Sequence, residues 1–234
     1  MKMPHDTWAD YYDSIFDDLD RDYTEKTLTV IKSILPEGGD IIDFGAGTGR
    51  ISIALRKMGF SIRAIEQSSE MCRVMEQKAK AQNYHFKIEQ CSIAEYEGVP
   101  ANLAISLCGV LNYVLTEDAL ENSFRSYARN ISPNGYLLID YLVEESFEEA
   151  GIDQTDDLIR KVVITKEAND LYLYSEVCSG SLDGRPFKYK DKFKLKKWSR
   201  NAINLNLAKF GFAHVKDIVE LSPDYSCHLY RKIS

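Results

Sequence analysis

The feature that most limits the fold of this chain is a glycine-rich turn between an apolar run and an amphipathic stretch. The turn reads Asp43-Phe44-Gly45-Ala46-Gly47-Thr48-Gly49 and follows Ile41-Ile42. Glycine lacks a Cβ, so the backbone can bend sharply and approach a ligand, and a following helix points its N-terminal amides at that ligand. The segment therefore predicts a strand, a tight turn and a helix that together hold a nucleoside-containing cofactor.

Short apolar runs alternate with amphipathic stretches from Asp40 to Leu142. We predict strands at about 41–44, 62–65, 86–88, 103–107 and 136–139, the last after a Pro133-Asn134-Gly135 turn, and helices at about 51–58, 69–82 and 116–130. Strands separated by helices of this length are typical of a parallel, doubly wound sheet with right-handed crossovers. The predicted fold class is α/β, with a Rossmann-like sheet of seven strands once two further strands near 213–221 and 227–233 are added.

The 234 residues correspond to about one and a half average domains, and two segments account for the excess. Residues 1–39 are acidic and aromatic and predict a helical lid, with a helix from about 23 to 35. Residues 143–198 predict a small antiparallel β insertion with strands near 159–165, 171–177 and 187–197, joined by turn signals at Asn169-Asp170 and Asp183-Gly184. Residues 40–142 and 199–234 form the Rossmann-like domain, which ends in a helix near 199–210 and two strands near 213–221 and 227–233.

The third insertion strand alternates between apolar and lysine side chains. Its apolar face carries Phe187, Tyr189, Phe193 and Leu195, and its other face carries Lys188, Lys190, Lys192, Lys194 and Lys196. The lysines could form a cradle for an anionic small molecule. They could equally be the solvated outer face of a sheet, where lysine discourages edge-to-edge pairing.

Composition and charge exclude several classes of protein. Hydrophobic residues make up 44% of the chain and the formal net charge is −7, from 29 basic and 36 acidic residues, which excludes disorder and disfavours nucleic acid or an anionic membrane as a partner. The five cysteines include no C-x-x-C pair, so neither a disulfide framework nor a cysteine zinc site is expected. No apolar run is long enough to cross a bilayer. We expect a reduced, cytoplasmic monomer or homodimer that binds a small molecule.

A carboxylate at the end of the second predicted strand identifies the kind of cofactor. Glu66 can accept hydrogen bonds from both hydroxyls of a ribose. The dinucleotide fingerprint G-x-G-x-x-G is not matched, because Arg50 occupies the position of its third glycine. The residues thus indicate an adenosine site and argue against NAD or FAD.

These residues together resemble the class I S-adenosylmethionine-dependent methyltransferases. The resemblance rests on the glycine-rich loop, on Glu66-Gln67-Ser68-Ser69-Glu70-Met71, on Ser132-Pro133-Asn134-Gly135-Tyr136 and on Leu207-Ala208-Lys209-Phe210-Gly211-Phe212. It implies S-adenosylmethionine as cofactor and S-adenosylhomocysteine as product. It also implies roles for residues of this chain: Gly45, Ala46 and Gly47 beneath the methionine and ribose, Asp43 near the amino group, Glu66 at the ribose, and Gln67 and Met71 beside the adenine.

Further cofactor contacts follow from the same resemblance. The family usually has an acid after the third strand, where this chain has Ser92, so the backbone of Ile93 is expected to serve the adenine. Leu107, after the fourth strand, completes the predicted set. Within the family the chain resembles the small N-methyltransferases that act on nucleotide-linked amino sugars, which share an N-terminal tyrosine-aspartate segment, a tyrosine after the fourth strand and an antiparallel insertion. This resemblance implies that a tyrosine of the N-terminal segment reaches the cofactor's carboxylate, so Tyr12 is the candidate, with Tyr11 as the alternative.

Methyl transfer from a sulfonium is an in-line displacement that needs alignment, exclusion of water and, for some acceptors, removal of a proton. Asn112, Tyr113 and Tyr141 are predicted at the ligand side of the sheet and are candidates for orienting the acceptor. The [DN]-P-P-[YFW] box of nucleobase enzymes is absent. No acid follows the fourth strand to join Asp140 in a metal site, so no divalent ion is expected.

The four histidines show no paired acid or cysteine in the sequence, and we expect them to make only surface or core polar contacts. The preferred function is methyl transfer to an amine or hydroxyl of a small metabolite, which could be anionic. Two alternatives stay open: a non-catalytic S-adenosylmethionine-binding module and an NAD(P)-dependent Rossmann oxidoreductase.

Overall fold

The computed structural model describes residues 3–19, 21–148, 151–155, 158–182 and 184–233. Six α-helices lie in these ranges: α1 (Tyr12–Leu19), α2 (Arg21–Ile34), α3 (Arg50–Lys57), α4 (Ser69–Ala81), α5 (Glu117–Asn130) and α6 (Arg200–Lys209). The strands are β1 (Asp40–Phe44), β2 (Ser61–Glu66), β3 (Lys87–Gln90), β4 (Ala101–Ser106), β5 (Ile131–Leu142), β6 (Gly151–Gln154), β7 (Leu158–Ala168), β8 (Leu171–Leu182), β9 (Arg185–Lys196), β10 (Phe212–Ile218) and β11 (Tyr225–Lys232). Short 3-10 helices span Asp6–Tyr11, Val110–Tyr113 and Glu145–Phe147.

The central sheet has seven strands in the order β10–β11–β5–β4–β1–β2–β3. Strands β1 to β5 run parallel, and β11 pairs antiparallel with both β5 and β10. Helices cover both faces, so all but one residue of β1 and all but one residue of β4 are buried. The predicted doubly wound, seven-stranded sheet is confirmed.

Side-chain caps fix where three of the helices begin. Ser68 accepts a hydrogen bond from the backbone amide of Met71, Thr116 from that of Ala119, and Ser199 from that of Ala202. Each hydroxyl satisfies one of the amides that the first turn of a helix leaves unpaired. The capped helices start within a residue of the predicted positions, and Ser68 places the start of α4 beside Glu66.

Two elements differ from the prediction. Strand β5 begins at Ile131 rather than near 136, and its pairing with β4 jumps from Ala101–Ile131 to Leu103–Tyr136, so the residues of the predicted turn bulge out between these pairs. Asn134 has a φ of 65° in this bulge. Strand β6 was not predicted, because its four residues show no clear alternation of polar and apolar types.

The insertion forms a separate antiparallel sheet in the order β6–β7–β8–β9, as expected. The turn signal at Asn169-Asp170 lies between β7 and β8, whereas Asp183 of the second signal lies outside the described residues. Lys188, Lys190, Lys192 and Lys194 are exposed on the edge strand β9, which supports the solvated outer face over the cradle. The opposite face packs on the N-terminal segment, where Trp8 stacks on Tyr189 at 4.5 Å between ring centroids.

The N-terminal segment joins both sheets. Its helix α2 buries Tyr23, Val30 and Ile31 in the same core cluster as Ile41 of β1. The hydroxyl of Tyr23 donates to Asp140 at the end of β5. None of the helices in the described ranges is long and apolar enough to span a membrane.

Candidate active site

A cavity of about 400 Å³ lies at the carboxyl ends of β1, β2, β3 and β4. This volume falls within the range of small-molecule sites, and the carboxyl edge of a doubly wound sheet is where such folds bind ligands. Of the predicted cofactor residues, those lining it are Tyr12, Gly45, Gly47, Glu66, Gln67, Met71, Ser92, Ile93 and Leu107. Asp43 and Ala46 line a small adjoining cavity that shares Tyr12, Gly45 and Gly47 with the larger one.

Glycine is needed at the three positions of the loop for different reasons. Gly45 has a φ of 76°, and a Cβ there would lie 2.5 Å from Cγ2 of Val110. Gly49 has a φ of 77°, and its Cβ would meet Cγ of Met75 on α4 at the same distance. Gly47 has a φ of 56° and nothing within 4 Å of the Cβ position, because that position faces the cavity. Gly45 and Gly49 thus permit packing, and Gly47 keeps the cavity open.

Glu66 is held at the cavity wall by backbone amides. Its Oε2 accepts from Gly47 N at 2.9 Å and its Oε1 from Ser68 N at 2.7 Å, and the residue is 8% exposed. Burial raises the pKa of this carboxyl, although the hydrogen bonds from the amides oppose the shift. Each oxygen keeps lone pairs free for further donors, as a pair of ribose hydroxyls would supply.

Asp43 lies at the other end of the glycine loop. It is 3% exposed and accepts a hydrogen bond from Ser52 Oγ at 2.7 Å. Burial raises the pKa of Asp43 to about 6, against the stabilising bond from Ser52. A buried carboxylate of this kind attracts a cationic group such as an ammonium.

Arg50 lies in the wall of the small cavity, and the sequence interpretation gave it no role in binding. It was noted only because it stands where the dinucleotide fingerprint has its third glycine. Its guanidinium donates to Thr24 Oγ1 and, at 3.5 Å, to Cys108 Sγ, and it forms no ion pair with an acid whose side chain is described. It lines the small cavity together with Tyr12. The sequence feature that could have revealed this residue is an arginine at the first helical position directly after the glycine-rich loop. A cationic side chain at that position can reach a ligand bound at the carboxyl edge of the sheet.

The adenine candidates lie at the ends of β2 and β3. Met71 is 3% exposed and packs with Ala9 and Val74. Ser92 uses its hydroxyl to donate to Glu95 Oε2 at 2.7 Å. Gln67 and Ile93 also line the cavity. The structure therefore brings all four adenine candidates into the wall of the same cavity.

Tyr113 alone among the three acceptor candidates lines the cavity. Asn112 is fully buried, and its amide bridges backbone groups: Nδ2 donates to Lys196 O and Oδ1 accepts from Leu142 N, both at 2.9 Å. Tyr141 is 4% exposed and its hydroxyl bonds His228 Nε2 at 2.9 Å. Tyr11, the alternative to Tyr12, stacks on Phe187 and does not line the described cavity.

The expectation that the histidines lack acidic partners is wrong. His228 Nδ1 and His214 Nε2 each lie 2.8 Å from Asp217 Oδ1, and Arg200 donates to both oxygens of the same carboxylate. These partners join α6, β10 and β11 and are not visible in the sequence order. Arg200 already binds the carboxylate of Asp217, and none of these residues lines the cavity, so we interpret the cluster as a structural one.

His5 also has acidic neighbours, and it lines the cavity. Its Nε2 lies 2.8 Å from Tyr113 Oη, and its Nδ1 lies 3.7 Å from Asp191 Oδ2. Asp191 sits on the inward face of β9 between Tyr189 and Phe193, where the sequence interpretation considered only apolar residues. An acid at an inward position of an alternating strand was the signal that could have found it.

Comparison with known proteins agrees with this geometry. Residues 41–135 match a family model described as a methyltransferase domain. A Bacillus subtilis protein named as a methyltransferase, YqeM, is 31% identical over 165 residues, which cover 67% of this chain and 64% of that protein. The chain thus matches just under two thirds of the length of this curated relative.

Two solved structures share the fold. An S-adenosylmethionine-dependent methyltransferase from Clostridium acetobutylicum has a TM-score of 0.82 at 14% identity, covering 95% of this chain and 98% of that one. CalS10, an amino pentose methyltransferase from Micromonospora echinaspora, solved with S-adenosylmethionine bound, has a TM-score of 0.75 at 14% identity, with 90% of each chain covered. These comparisons support the predicted resemblance: residues 41–135 match a methyltransferase domain, and the chain shares its fold with S-adenosylmethionine-dependent methyltransferases.

Proposed function

We propose that this protein transfers a methyl group from S-adenosylmethionine to an amine or hydroxyl of a small metabolite. The observation that carries the proposal is a single cavity whose wall runs from the glycine loop and Glu66 to the polar pair Tyr113 and His5. One end suits an adenosine cofactor. The other end offers groups that can orient an acceptor and take its proton.

The cofactor would lie along the carboxyl edge of the sheet. Glu66 would accept from the ribose hydroxyls, and Gly45, Ala46 and Gly47 would pass beneath the ribose and methionine. Gln67, Met71, Ser92, Ile93 and Leu107 would surround the adenine. S-adenosylmethionine supplies the activated methyl group, and S-adenosylhomocysteine is the product.

The methionine end of the cofactor would meet opposite charges in the small cavity. Asp43 would pair with the amino group, and Arg50 and Tyr12 would hold the carboxylate. A buried guanidinium forms strong hydrogen bonds with a carboxylate because its donors match the two oxygens. This division of charges would orient the sulfonium methyl toward Tyr113.

The N-terminal segment encloses part of the cavity, and this favours a small acceptor. The N-terminal segment contributes Met3, Pro4 and His5 to the cavity wall, which leaves room for a metabolite rather than a polymer. None of the lysines of β9 lines the cavity among the described residues, so an anionic acceptor draws no support from them. CalS10 is an amino pentose methyltransferase by name, and a small amine is the acceptor class that we propose to test first.

The cysteines bear on where the protein works. All five are free thiols, and three of them are buried. Free thiols persist in reducing compartments, so we propose that the protein acts in the cytoplasm.

An acceptor screen tests the activity. The purified chain is incubated with S-adenosylmethionine and a panel of small amines, each matched by the corresponding alcohol, and release of S-adenosylhomocysteine is measured. We expect turnover with at least one amine, and loss of that turnover in Glu66→Ala but not in Glu97→Ala, which changes an exposed acid outside the cavity. Tight cofactor binding with no turnover on any acceptor would favour the non-catalytic binding module.

A further inference from the structure

Two buried acids face each other on the inner side of the four-stranded sheet. Glu176 of β8 is paired directly with Asp191 of β9, and the two residues are 2% and 9% exposed. Like charges directly opposite each other destabilise a sheet, and their repulsion is stronger in the buried interior, where the effective dielectric constant is low. Sequences keep such local conflicts mainly where function requires them.

The imidazole of His5 lies between these acids and the cavity. One ring nitrogen of His5, one carboxylate oxygen of Asp191 and one of Glu176 all lie within 4.8 Å of one another, and His5 Nδ1 lies 3.7 Å from Asp191 Oδ2. His5 Nδ1 and Glu176 Oε1 are buried and form no hydrogen bond within the described chain. Asp191 Oδ2 is fixed by His5 N at 2.7 Å and Trp8 Nε1 at 3.2 Å. The ring is thus held with one nitrogen toward the acids and the other toward Tyr113.

This arrangement selects one tautomer of the neutral ring. Ionised carboxylates accept hydrogen bonds but cannot donate them, so the proton of His5 belongs on Nδ1, facing Asp191. Nε2 then carries a lone pair that accepts from the hydroxyl of Tyr113. The other charged groups near the ring are Arg160, which binds Glu176 Oε2 through Nε at 3.0 Å, and Asp6 on the same segment.

We propose that Tyr113 and His5 form the path by which the acceptor loses its proton, with Asp191 as the positioning residue. The inference rests on the proposed methyl transfer. The acceptor's lone pair attacks the methyl carbon, and the electrons of the carbon–sulfur bond return to sulfur. The acceptor's proton passes to Tyr113 Oη while the hydroxyl proton of Tyr113 passes to His5 Nε2. The resulting imidazolium faces Asp191 and Glu176, and its proton later leaves to solvent.

The resting protonation states suit this path. Burial lowers the pKa of His5 to about 4, with Asp191 opposing the shift, so the ring is neutral at pH 7 and its Nε2 is free to accept the hydrogen bond from Tyr113. Burial raises the pKa of Tyr113 well above its ordinary value, so its hydroxyl does not ionise unaided. Tyr113 therefore needs a partner that takes its proton as the acceptor gives one up.

Ring nitrogen NMR tests the path without cofactor or acceptor. The chain is labelled with ¹⁵N in its four histidines, and the His5 signals are assigned by their loss in His5→Gln. We expect shifts of a protonated Nδ1 and an unprotonated Nε2 at pH 7, and a change at Nε2 in Tyr113→Phe. A ring protonated on Nε2, or charged at pH 7, would overturn the proposal.

The role of Asp191 has its own readout. Asp191→Asn keeps an oxygen for His5 N and Trp8 but removes the charge, so the fraction of Nε2-protonated tautomer should rise. An unchanged tautomer would mean that Asp191 only supports the fold and is not a positioning residue.

A metal-binding experiment tests the alternative use of the two acids. Stoichiometric uptake of Zn²⁺ by the wild type that is lost in Glu176→Gln would also overturn the path, because the acids would then serve a metal. Failure of the chain to bind S-adenosylmethionine would count against the proposed function alone.

Discussion

Gly47 offers the most direct single-atom test of the cavity. Gly47→Ala would place a methyl group in the space proposed for the cofactor, whereas Gly59→Ala introduces a comparable left-handed strain, at a φ of 94°, into open space after α3. Such strain costs about 1–2 kcal/mol of folding free energy at either site. We expect Gly47→Ala to weaken S-adenosylmethionine binding at least ~10-fold, about 1.4 kcal/mol, with little effect from Gly59→Ala.

Calorimetric titration of both variants, with thermal unfolding to check that they fold, makes the comparison. Equal affinities in the two variants would show that the cofactor does not pass over Gly47.

Asp43 makes cofactor binding depend on pH. Its pKa is raised to about 6 by burial, so the carboxyl is charged above pH 6 and progressively neutral below it. An ammonium group binds the charged form, so affinity for S-adenosylmethionine should be constant above pH 7 and fall as the pH drops through 6. Asp43→Asn should bind more weakly at pH 7.5 and lose most of this pH dependence. A wild-type affinity that is flat from pH 7.5 to pH 5 would contradict the assignment.

The pH affects folding stability through Asp43 in the direction opposite to its effect on cofactor binding. Because the pKa of Asp43 in the folded chain lies above its ordinary value, protonation favours the folded state. The contribution of this group to stability is complete below its ordinary pKa of 3.8 and is lost as the pH rises through about 6. Asp140, whose pKa is also raised to about 6 by burial, acts in the same direction.

Residues of the glycine loop were predictable because their chemistry is local in sequence. Gly47 and Glu66 follow from a turn and a strand end that can be read in a few residues. His5 and Asp191 were not predictable in this way, because their pairing joins the N-terminal segment to β9, and no local pattern specifies such a contact. Asn112 was predicted on the correct edge of the sheet, but its orientation depends on packing that the sequence order does not contain.

At the scale of elements, α2 is tied to the central sheet through the buried hydroxyl of Tyr23. The Tyr23 hydroxyl donates to Asp140, which also accepts from Cys108 N at 3.0 Å and Gly109 N at 2.7 Å. Tyr23→Phe leaves the carboxylate with fewer donors in a buried site, which should lower the free energy of unfolding by about 1–3 kcal/mol.

Tyr84→Phe is the matched control, since the Tyr84 hydroxyl forms no hydrogen bond with the described residues. Denaturant unfolding of the two variants measures the difference. Equal stabilities would mean that the contact between α2 and β5 is not a stabilising one.

The elements themselves were predicted where polar and apolar residues recur with a regular spacing. Strand β9 followed from its lysine row, and α4 and α5 from their amphipathic stretches, whereas their caps at Ser68 and Thr116 were seen only in the structure. The early part of β5 was missed because Pro133 and Gly135 indicate a turn, and the bulge that lets the strand continue depends on pairing with β4. Periodicity describes one element at a time and cannot include its neighbours.

At the scale of the whole molecule, the cavity depends on three parts of the chain. The central sheet supplies the glycine loop and Glu66, the N-terminal segment supplies His5 and Tyr12, and the insertion holds His5 through Asp191. The fold class was predictable because the order of elements determines it. The enclosure of the cavity was not, because it depends on contacts between segments that are distant in sequence.

The central claim is that the cavity binds S-adenosylmethionine, and calorimetric titration of the purified chain tests it most directly. S-adenosylmethionine and S-adenosylhomocysteine should each bind with one site per chain, and NAD should not compete. Glu66→Ala should weaken both by about 1–3 kcal/mol through the lost ribose contacts, with Glu97→Ala unchanged. Binding of NAD without S-adenosylmethionine, or identical affinities in the two variants, would contradict the account.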